Sequence, residues 1–335
     1  MQQPEFWQNP KSAPGLLARL LTPLSAVSGF LGKQRLRQGK YERLPVPVIC
    51  VGNINIGGTG KTPTVIALVE YLKKRGLNPH VVSRGYGGSL RGPVRVNERV
   101  HKASQVGDEP ILISSFCPVW VARDRAAGGF AAANAGADVI ILDDGFQNPA
   151  VEKDISIIVV DAVSGFGNGR VFPAGPLREP IGLGLGRADA LVVIGPEKAQ
   201  QQFAADWSPI PNLPVIGGQL KPLEMGMDWN GHKVFAFAGI GRPEKFFATL
   251  RGLGADILHT EALSDHQPLT RRLLERLEAD AFFKGAQLVT TEKDAVRLPE
   301  DFRFKVLTLA VRLELADWTP IERLLQNAGI NRRAL

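Results

Sequence analysis

The sequence predicts an α/β protein with a doubly wound, mostly parallel sheet and a second, smaller α/β domain. Short apolar runs at 138–142, 155–160 and 190–194 alternate with helical patterns. Strands that are apolar at nearly every position are typical of a parallel sheet covered on both faces. The 335 residues also exceed what a single hydrophobic core usually supports.

The pattern divides the chain into three parts. Residues 1–40 are expected to form an amphipathic segment of the first domain, residues 41–215 the body of that domain, and residues 216–335 a smaller domain that closes over the site. The boundary is placed in the proline-rich, polar stretch 196–230, where the alternation of strands and helices is interrupted.

An apolar stripe and a basic stretch occupy the first forty or so residues. Helical spacing relates the apolar residues Leu16, Leu17, Leu20, Leu21, Leu24, Val27, Phe30 and Leu31, and the cations Lys33, Arg35, Arg37, Lys40 and Arg43 follow. Pro23 is expected to kink or divide the helix. The pattern fits a helix lying on a membrane surface, where each cation contributes about 1 kcal/mol. It also fits a helix packed on its own domain.

Composition excludes several classes of protein. The net charge of +7 is a mild excess, and no basic block is interleaved with aromatic residues, so nucleic-acid binding is not expected. The two cysteines, Cys50 and Cys117, have no CxxC partner and predict neither a disulfide framework nor a zinc site. No apolar run reaches the ~18 residues of a membrane span, and the polar N-terminus has no secretory signal. A cytoplasmic location is expected.

A glycine-rich loop between a strand and a helix predicts a P-loop NTPase fold that binds ATP and Mg²⁺. The residues of this loop are Asn55, Ile56, Gly57, Gly58, Thr59, Gly60, Lys61 and Thr62. Backbone N–H groups of such a loop point at the phosphates, the lysine reaches the β- and γ-phosphates, and the Thr62 hydroxyl is a candidate Mg²⁺ ligand. Asn55 replaces the first glycine of the usual motif. A glycine turn without a ligand is the alternative.

Two carboxylates, Asp143 and Asp144, follow the apolar run 139–142. A buried strand that delivers an aspartate beside the phosphate loop is typical of Mg²⁺ coordination in P-loop enzymes. Asp143 is the natural metal ligand, and Asp144 could share the metal or bind its water. An aspartate that merely caps the strand end is the alternative. An NKxD-type guanine-reading motif is absent, which favours ATP over GTP.

A kinase also needs a group that handles the proton of the acceptor hydroxyl. Asp108 and Glu109 lie in a tight loop before a helix, and spacing alone does not decide which one acts. His266, beside Asp265 in a polar loop of the second domain, is a further candidate. Each of these residues also has a plain structural explanation, such as the helix dipole for the acidic pair.

Two loop arginines could neutralise phosphate charge. Arg178 follows a glycine-rich loop, and Arg84 lies at the end of the second predicted strand, close to Tyr86. Ligands bind at strand ends on this side of an open α/β sheet, so Arg84 and Tyr86 would suit a phosphorylated glycolipid head group. Both segments could equally be plain turns.

Taken in order, eight motifs resemble the tetraacyldisaccharide 4'-kinase family, the lipid A 4'-kinases of Gram-negative bacteria. They are GNINIGGTGKTP (52–63), SRGYGG (83–88), GDEP (107–110), LDDGFQ (142–147), GPLRE (175–179), AGIGRPEKFF (238–247), SDHQP (264–268) and TTEKDAV (290–296). The resemblance covers most of the chain. Two departures are Asn148, where the family usually has histidine, and Gln267, where it has a second histidine.

The resemblance implies transfer of the γ-phosphoryl group of ATP, with Mg²⁺, to the 4'-hydroxyl of tetraacyldisaccharide 1-phosphate, which forms lipid IVA. It implies that Asp108 is the acceptor-side base, oriented by His266, that Glu109 acts with Asp143 at the metal, and that Arg178 stabilises the transferred group. Lys61 is expected to contribute to catalysis. It also implies that the N-terminal apolar stripe docks the protein on the cytoplasmic face of the inner membrane.

Other functions remain open at this point. A membrane-associated P-loop ATPase switch would share the loop and the amphipathic helix, and a soluble small-molecule kinase would share the loop alone. The expected partners are the lipid A precursor and the inner-membrane surface, with no nucleic acid and no obligate protein partner.

Overall fold

The computed structural model describes residues 4–210, 213–224 and 226–331. After a 3₁₀ turn (Glu5–Gln8), the helices are α1 (Leu16–Leu20), α2 (Thr22–Arg37), α3 (Lys61–Lys74), α4 (Ala103–Val106), α5 (Asp108–Ser114), α6 (Arg125–Asn134), α7 (Ile181–Leu185), α8 (Glu197–Trp207), α9 (Pro243–Gly252), α10 (Arg271–Phe283), α11 (Glu292–Ala295), α12 (Glu300–Arg303) and α13 (Thr319–Asn327). The strands are β1 (Val48–Gly52), β2 (Pro79–Ser83), β3 (Val94–Arg95), β4 (Val119–Val121), β5 (Val139–Asp143), β6 (Ile155–Asp161), β7 (Ala190–Ile194), β8 (Val215–Pro222), β9 (Lys233–Ala238), β10 (Asp256–Ala262), β11 (Gln287–Thr291), β12 (Val306–Leu309) and β13 (Val311–Leu315).

The larger sheet has the order β13-β8-β7-β6-β1-β5-β2-β4-β3. Its strands are parallel except for β13 and β3 at the two edges. The central strands are buried along their whole length because helices cover both faces, and this explains their unbroken apolar sequences. The predicted doubly wound, mostly parallel sheet is confirmed.

Chain order reverses around β1, which lies between β5 and β6. The carboxyl ends of the strands on either side of such a switch point form the binding crevice of an open α/β sheet. Three polar residues and the glycine-rich loop lie at this edge: Ser83 ends β2, Asp143 ends β5, Asp161 ends β6, and the loop follows β1. The topology therefore concentrates the candidate chemistry at one edge.

The second sheet contains β10-β9-β11-β12, all parallel, and carries α9 and α10. Phenylalanines at 235, 237 and 247 are fully buried in its small core. Its loops at the carboxyl ends of β9 and β11 face the first domain, where Asp161 of β6 pairs with Arg242 and Lys245 at the start of α9.

The sheet pairing differs from the predicted division at residue 216. Strands β8 and β13 pair with each other and with the larger sheet, and α13 packs beside them, so 216–222 and 311–327 lie on the first domain. The stretch 196–230 contains α8 and β8 and is not a simple linker. After the second domain, the chain therefore returns to the first domain at β13. The sequence pattern did not predict this return, because β13 pairs with a strand about ninety residues earlier.

The N-terminal stripe lies on the outside of the molecule. Pro23 falls in the first turn of α2 and separates it from α1, as predicted. The small residue Ser25 faces the domain, where its hydroxyl donates to the Val171 carbonyl oxygen at 2.7 Å. The exposed fractions of the apolar residues are 57–73 % for Leu16, Leu17, Leu20, Leu24, Val27, Phe30 and Leu31. Among the described residues, no helix has the length and apolarity to cross a bilayer.

We predict that a chain ending at residue 215 does not fold, because it lacks the buried Ile216, Leu313, Ile321 and Leu325 of the first core. Deleting 224–309 and joining β8 to β13 by a short glycine turn should leave that domain folded, since Leu223 N–H donates to the Ala310 carbonyl oxygen at 2.9 Å. Thermal unfolding followed by circular dichroism compares the two proteins. Cooperative unfolding of the 1–215 chain would contradict the structure.

Candidate active site

The glycine-rich loop joins β1 to α3 and is fixed by two asparagines. Asn53 donates to the Thr59 hydroxyl oxygen at 3.0 Å and the Gly57 carbonyl oxygen at 3.3 Å. Asn55, which replaces the first motif glycine, donates to the Gly165 carbonyl oxygen at 3.0 Å. At Gly60, φ is +96° and an added Cβ would lie 2.6 Å from the Ile194 side chain, so only glycine fits. Asn55 therefore ties this loop to the loop after β6.

Lys61 and Arg178 converge on Asp144. The Lys61 Nζ lies 3.7 Å from Asp144 Oδ1, and the Arg178 guanidinium donates to both carboxylate oxygens at 2.8 and 3.1 Å. Burial acts to raise the pKa of Asp144, but these two cations outweigh burial and hold that pKa below its usual value. Asp144 has a φ of 53°, which is rare outside glycine. The carboxylate thus orients both predicted phosphate-binding cations.

Asp143 has a different environment. It is buried, and one of its oxygens accepts a hydrogen bond from the Ser83 hydroxyl at 3.0 Å. The other oxygen, Oδ1, is buried with no hydrogen-bond partner among the described residues. Burial, together with the negative charges of Glu109 and Asp144, raises the pKa of Asp143 to about 7. A cation beside Oδ1 would relieve this unfavourable burial of charge.

Asp108 and His266 meet across the domain interface. The Asp108 Oδ2 and His266 Nδ1 atoms are 2.9 Å apart, although the residues are separated by 158 positions in the chain. Burial acts to raise the pKa of Asp108, whereas the His266 hydrogen bond and the Lys293 charge leave it below its usual value. The same hydrogen bond raises the pKa of His266. Asp108 is therefore ionised at neutral pH and can accept a proton.

His266 and Asp144 share an unusual backbone conformation, a positive φ. They are the non-glycine residues with positive φ in the described part of the chain, at 58° and 53°. Such conformations each cost about 1–3 kcal/mol and persist where the surrounding structure enforces them. Both fall at predicted site residues.

The predicted lipid-binding pair lies at the solvent side of this interface. The Tyr86 ring is 72 % exposed and its centroid is 5.8 Å from that of His266. Arg84 is exposed in the same turn. An acceptor hydroxyl bound near Asp108 would therefore have an amphipathic ring and a cation beside it.

Three cations of the second domain that the sequence pattern did not single out also lie at the interface. Lys293 contacts Glu109 Oε1 at 3.2 Å, so the predicted metal ligand Glu109 is paired with a lysine. Arg242 and Lys245 both pair with the buried Asp161, at 2.9 Å for Arg242 Nη1. The motifs 238–247 and 290–296 contain these residues, but the pattern gave no indication of what they contact.

Comparison with known proteins identifies the family of the chain. A family model described as tetraacyldisaccharide-1-P 4'-kinase (LpxK) matches residues 17–329. The chain belongs to this kinase family. This confirms the family and the enzyme class that the sequence motifs predicted.

Relatives in the tetraacyldisaccharide 4'-kinase family include proteins of that name from Dinoroseobacter shibae and Jannaschia sp. They are 58 % and 56 % identical over 322 residues, covering 96 % of this chain and 96 % and 97 % of their own lengths. The crystal structure of LpxK from Aquifex aeolicus in complex with ATP superposes with a TM-score of 0.74 at 26 % identity, covering 93 % of this chain and 99 % of that one.

The two departures from the family motifs have structural roles here. The Asn148 carboxamide accepts from Ala150 N–H at 2.9 Å and shapes the turn after β5. Gln267 accepts from Ser264 N–H at 3.0 Å and closes the loop that carries His266. Amide side chains do not titrate at neutral pH, so neither residue can act as a proton carrier.

Proposed function

We propose that the protein transfers the γ-phosphoryl group of ATP to the 4'-hydroxyl of tetraacyldisaccharide 1-phosphate and so forms lipid IVA. Membership of the kinase family carries the proposal, and the pairing of Asp108 with His266 beside the phosphate loop supports it. The exposed apolar stripe favours a lipid acceptor over a soluble one.

ATP binds with its phosphates in the loop 55–62. The backbone N–H groups of the loop and of the start of α3 face the phosphates, and Lys61 reaches the β- and γ-phosphates. The related Aquifex aeolicus structure is an ATP complex, which supports this assignment.

Asp143 and the Thr62 hydroxyl would hold Mg²⁺. The buried Asp143 Oδ1 without a hydrogen-bond partner fits a cation, and Thr62 lies in the first turn of α3. Among the described residues, no group of three or more His, Cys, Asp or Glu side chains could hold a metal ion. In kinases, Mg²⁺ commonly takes one or two carboxylates, with phosphates and water completing its shell. The bound ion would neutralise phosphate charge in the transition state.

Asp144 and Glu109 act differently from Asp143 at this site. Asp144 is already bound by Arg178 and Lys61, so it would orient these two cations or bind a water of the metal. Glu109 is paired with Lys293 at 3.2 Å, so it would have to give up this ion pair in order to bind the metal.

Asp108 removes the proton from the acceptor hydroxyl as the phosphoryl group arrives. His266 holds the carboxylate in place through its Nδ1 hydrogen bond. Lys61 and Arg178 stabilise the charge on the transferred group, so catalysis depends mainly on positioning and charge neutralisation. Arg84 and Tyr86 bind the phosphorylated sugar head group at the open side of the interface.

The protein acts as a peripheral enzyme on the cytoplasmic face of the inner membrane. The stripe on α1 and α2 enters the bilayer surface, and the exposed cations Lys33, Arg35 and Arg37 lie beside anionic head groups. This places the acceptor's sugar near the site while its acyl chains stay in the bilayer.

We predict that Lys61→Ala and Asp108→Asn each lose most of the transfer of label from radiolabelled ATP to detergent-dispersed tetraacyldisaccharide 1-phosphate. Loss of a catalytic base costs about 10²–10⁴-fold. Asp228→Asn, a change at an exposed residue in the segment before β9, serves as the control. Near-normal rates in either site variant would remove that residue from the mechanism, and absence of labelled lipid with the unaltered protein would refute the proposed acceptor.

We predict that the apparent affinity for Mg²⁺ weakens as the pH falls below about 7. The pKa of Asp143 is raised to about 7, so at lower pH a proton occupies the carboxylate and competes with the cation. The loss should approach about tenfold per pH unit. Mg²⁺ titrations of transfer at several pH values measure it, and Asp143→Asn should remove the dependence. An affinity that does not change with pH would contradict this role of Asp143.

We predict that Leu24→Glu combined with Val27→Glu weakens binding to vesicles containing anionic phospholipid by about 100-fold. Each exposed apolar side chain that enters the bilayer contributes about 1.5 kcal/mol or more. Co-sedimentation with vesicles measures the binding. The matched control is Phe282→Glu with Phe283→Glu, two exposed apolar residues on the second domain. Equal binding by the stripe variant and the control would contradict docking through the stripe.

A further inference from the structure

Lys293 reaches from the second domain into the centre of the candidate site. Its Nζ lies 3.2 Å from Glu109 Oε1, 3.4 Å from His266 Nε2 and 3.7 Å from Asp265 Oδ1. The side chain is 20 % exposed and lies in the first turn of α11, directly after β11. This cation therefore contacts His266 and also Glu109, the residue that follows Asp108 in the chain.

The turn that carries Lys293 is held to the His266 loop by its neighbours. The fully buried Asp294 accepts from Gly239 N–H at 3.1 Å and from the Thr291 hydroxyl at 2.6 Å. Arg297 pairs with Asp294 and donates to the Gln267 carbonyl oxygen at 2.9 Å. The ammonium group and the imidazole are therefore presented to the first domain by one rigid unit.

The contact with Lys293 influences which nitrogen of the neutral His266 carries hydrogen. An ammonium group can only donate hydrogen bonds, so its contact at 3.4 Å favours a lone pair on Nε2, whereas Asp265 Oδ1, at 3.7 Å from the same nitrogen, would favour a hydrogen there. With the lone pair on Nε2, the hydrogen resides on Nδ1, which donates to Asp108 at 2.9 Å. Without Lys293, the Nε2–H form would compete, and that form leaves Nδ1 unable to donate to Asp108.

We propose that Lys293 is a positioning residue for phosphoryl transfer. It keeps His266 in the tautomer that donates to Asp108, and it fixes Glu109, the residue next to Asp108 at the start of α5. Its contacts in the structure are with His266, Glu109 and Asp265, and the proposed role acts through the first two. This inference rests on the proposed function, since it assigns Asp108 and His266 to the acceptor side of the reaction.

The kinetic test compares Lys293→Met with Lys293→Arg, and uses Lys284→Met, an exposed lysine on the same domain, as the matched control. Lys293→Met should lower kcat about 10- to 100-fold, the usual effect of losing a residue that orients a site ligand, with little change in KM for ATP. Lys293→Arg should retain the larger share of kcat because it still donates to both partners. A kcat for Lys293→Met equal to that of the control would overturn the proposal.

A second measurement does not depend on the acceptor. Nitrogen NMR of histidine-labelled protein, at a pH well above the pKa of imidazole, reports the tautomer of His266, and His266→Ala identifies its signals. The Nδ1–H form should dominate in the unaltered protein and in Lys293→Arg, and should lose its dominance in Lys293→Met. An unchanged tautomer in Lys293→Met would overturn the inference. Absence of lipid phosphorylation by the unaltered protein, with the tautomer shift present, would instead contradict the proposed function.

Discussion

The hydrogen bond between Asp108 and His266 is the contact on which the rest of the site depends, because its two partners belong to different domains. Asp108 begins α5 of the first domain, and His266 lies in a loop of the second. The proposed base, Asp108 held by His266, is complete only while the two domains are together. The ion pairs of Asp161 with Arg242 and Lys245 also join the two domains and so help to hold them together.

The carboxylates of the site are distinguished by their neighbours. Asp144 has two cations and stays ionised, whereas Asp143 has a hydroxyl, an oxygen without a hydrogen-bond partner and a raised pKa. Asp143 therefore suits a divalent cation and Asp144 suits the orientation of Lys61 and Arg178. The two adjacent aspartates also differ in backbone conformation, because Asp144 has a positive φ.

The sequence predicted the parts of the structure that depend on local pattern. The buried strands β6, β7 and β11, the helix after the phosphate loop and the break at Pro23 follow from apolar periodicity and proline geometry. The motif order identified Asp108 and His266, which the structure brings together. Long-range pairing was not predictable: β8 and β13 form a ladder between distant segments, and Lys293 meets Glu109 across 184 positions. Such contacts leave no periodic signal in a single sequence.

The most direct test of the central claim is a double-mutant cycle on the rate of transfer to the lipid acceptor, with Asp108→Asn, His266→Ala and both together. If the two residues act as one unit, the double variant should be no slower than Asp108→Asn alone, because His266 then has nothing to orient. Losses that multiply in the double variant would show that the residues act independently. That result would contradict a base assembled across the domain interface.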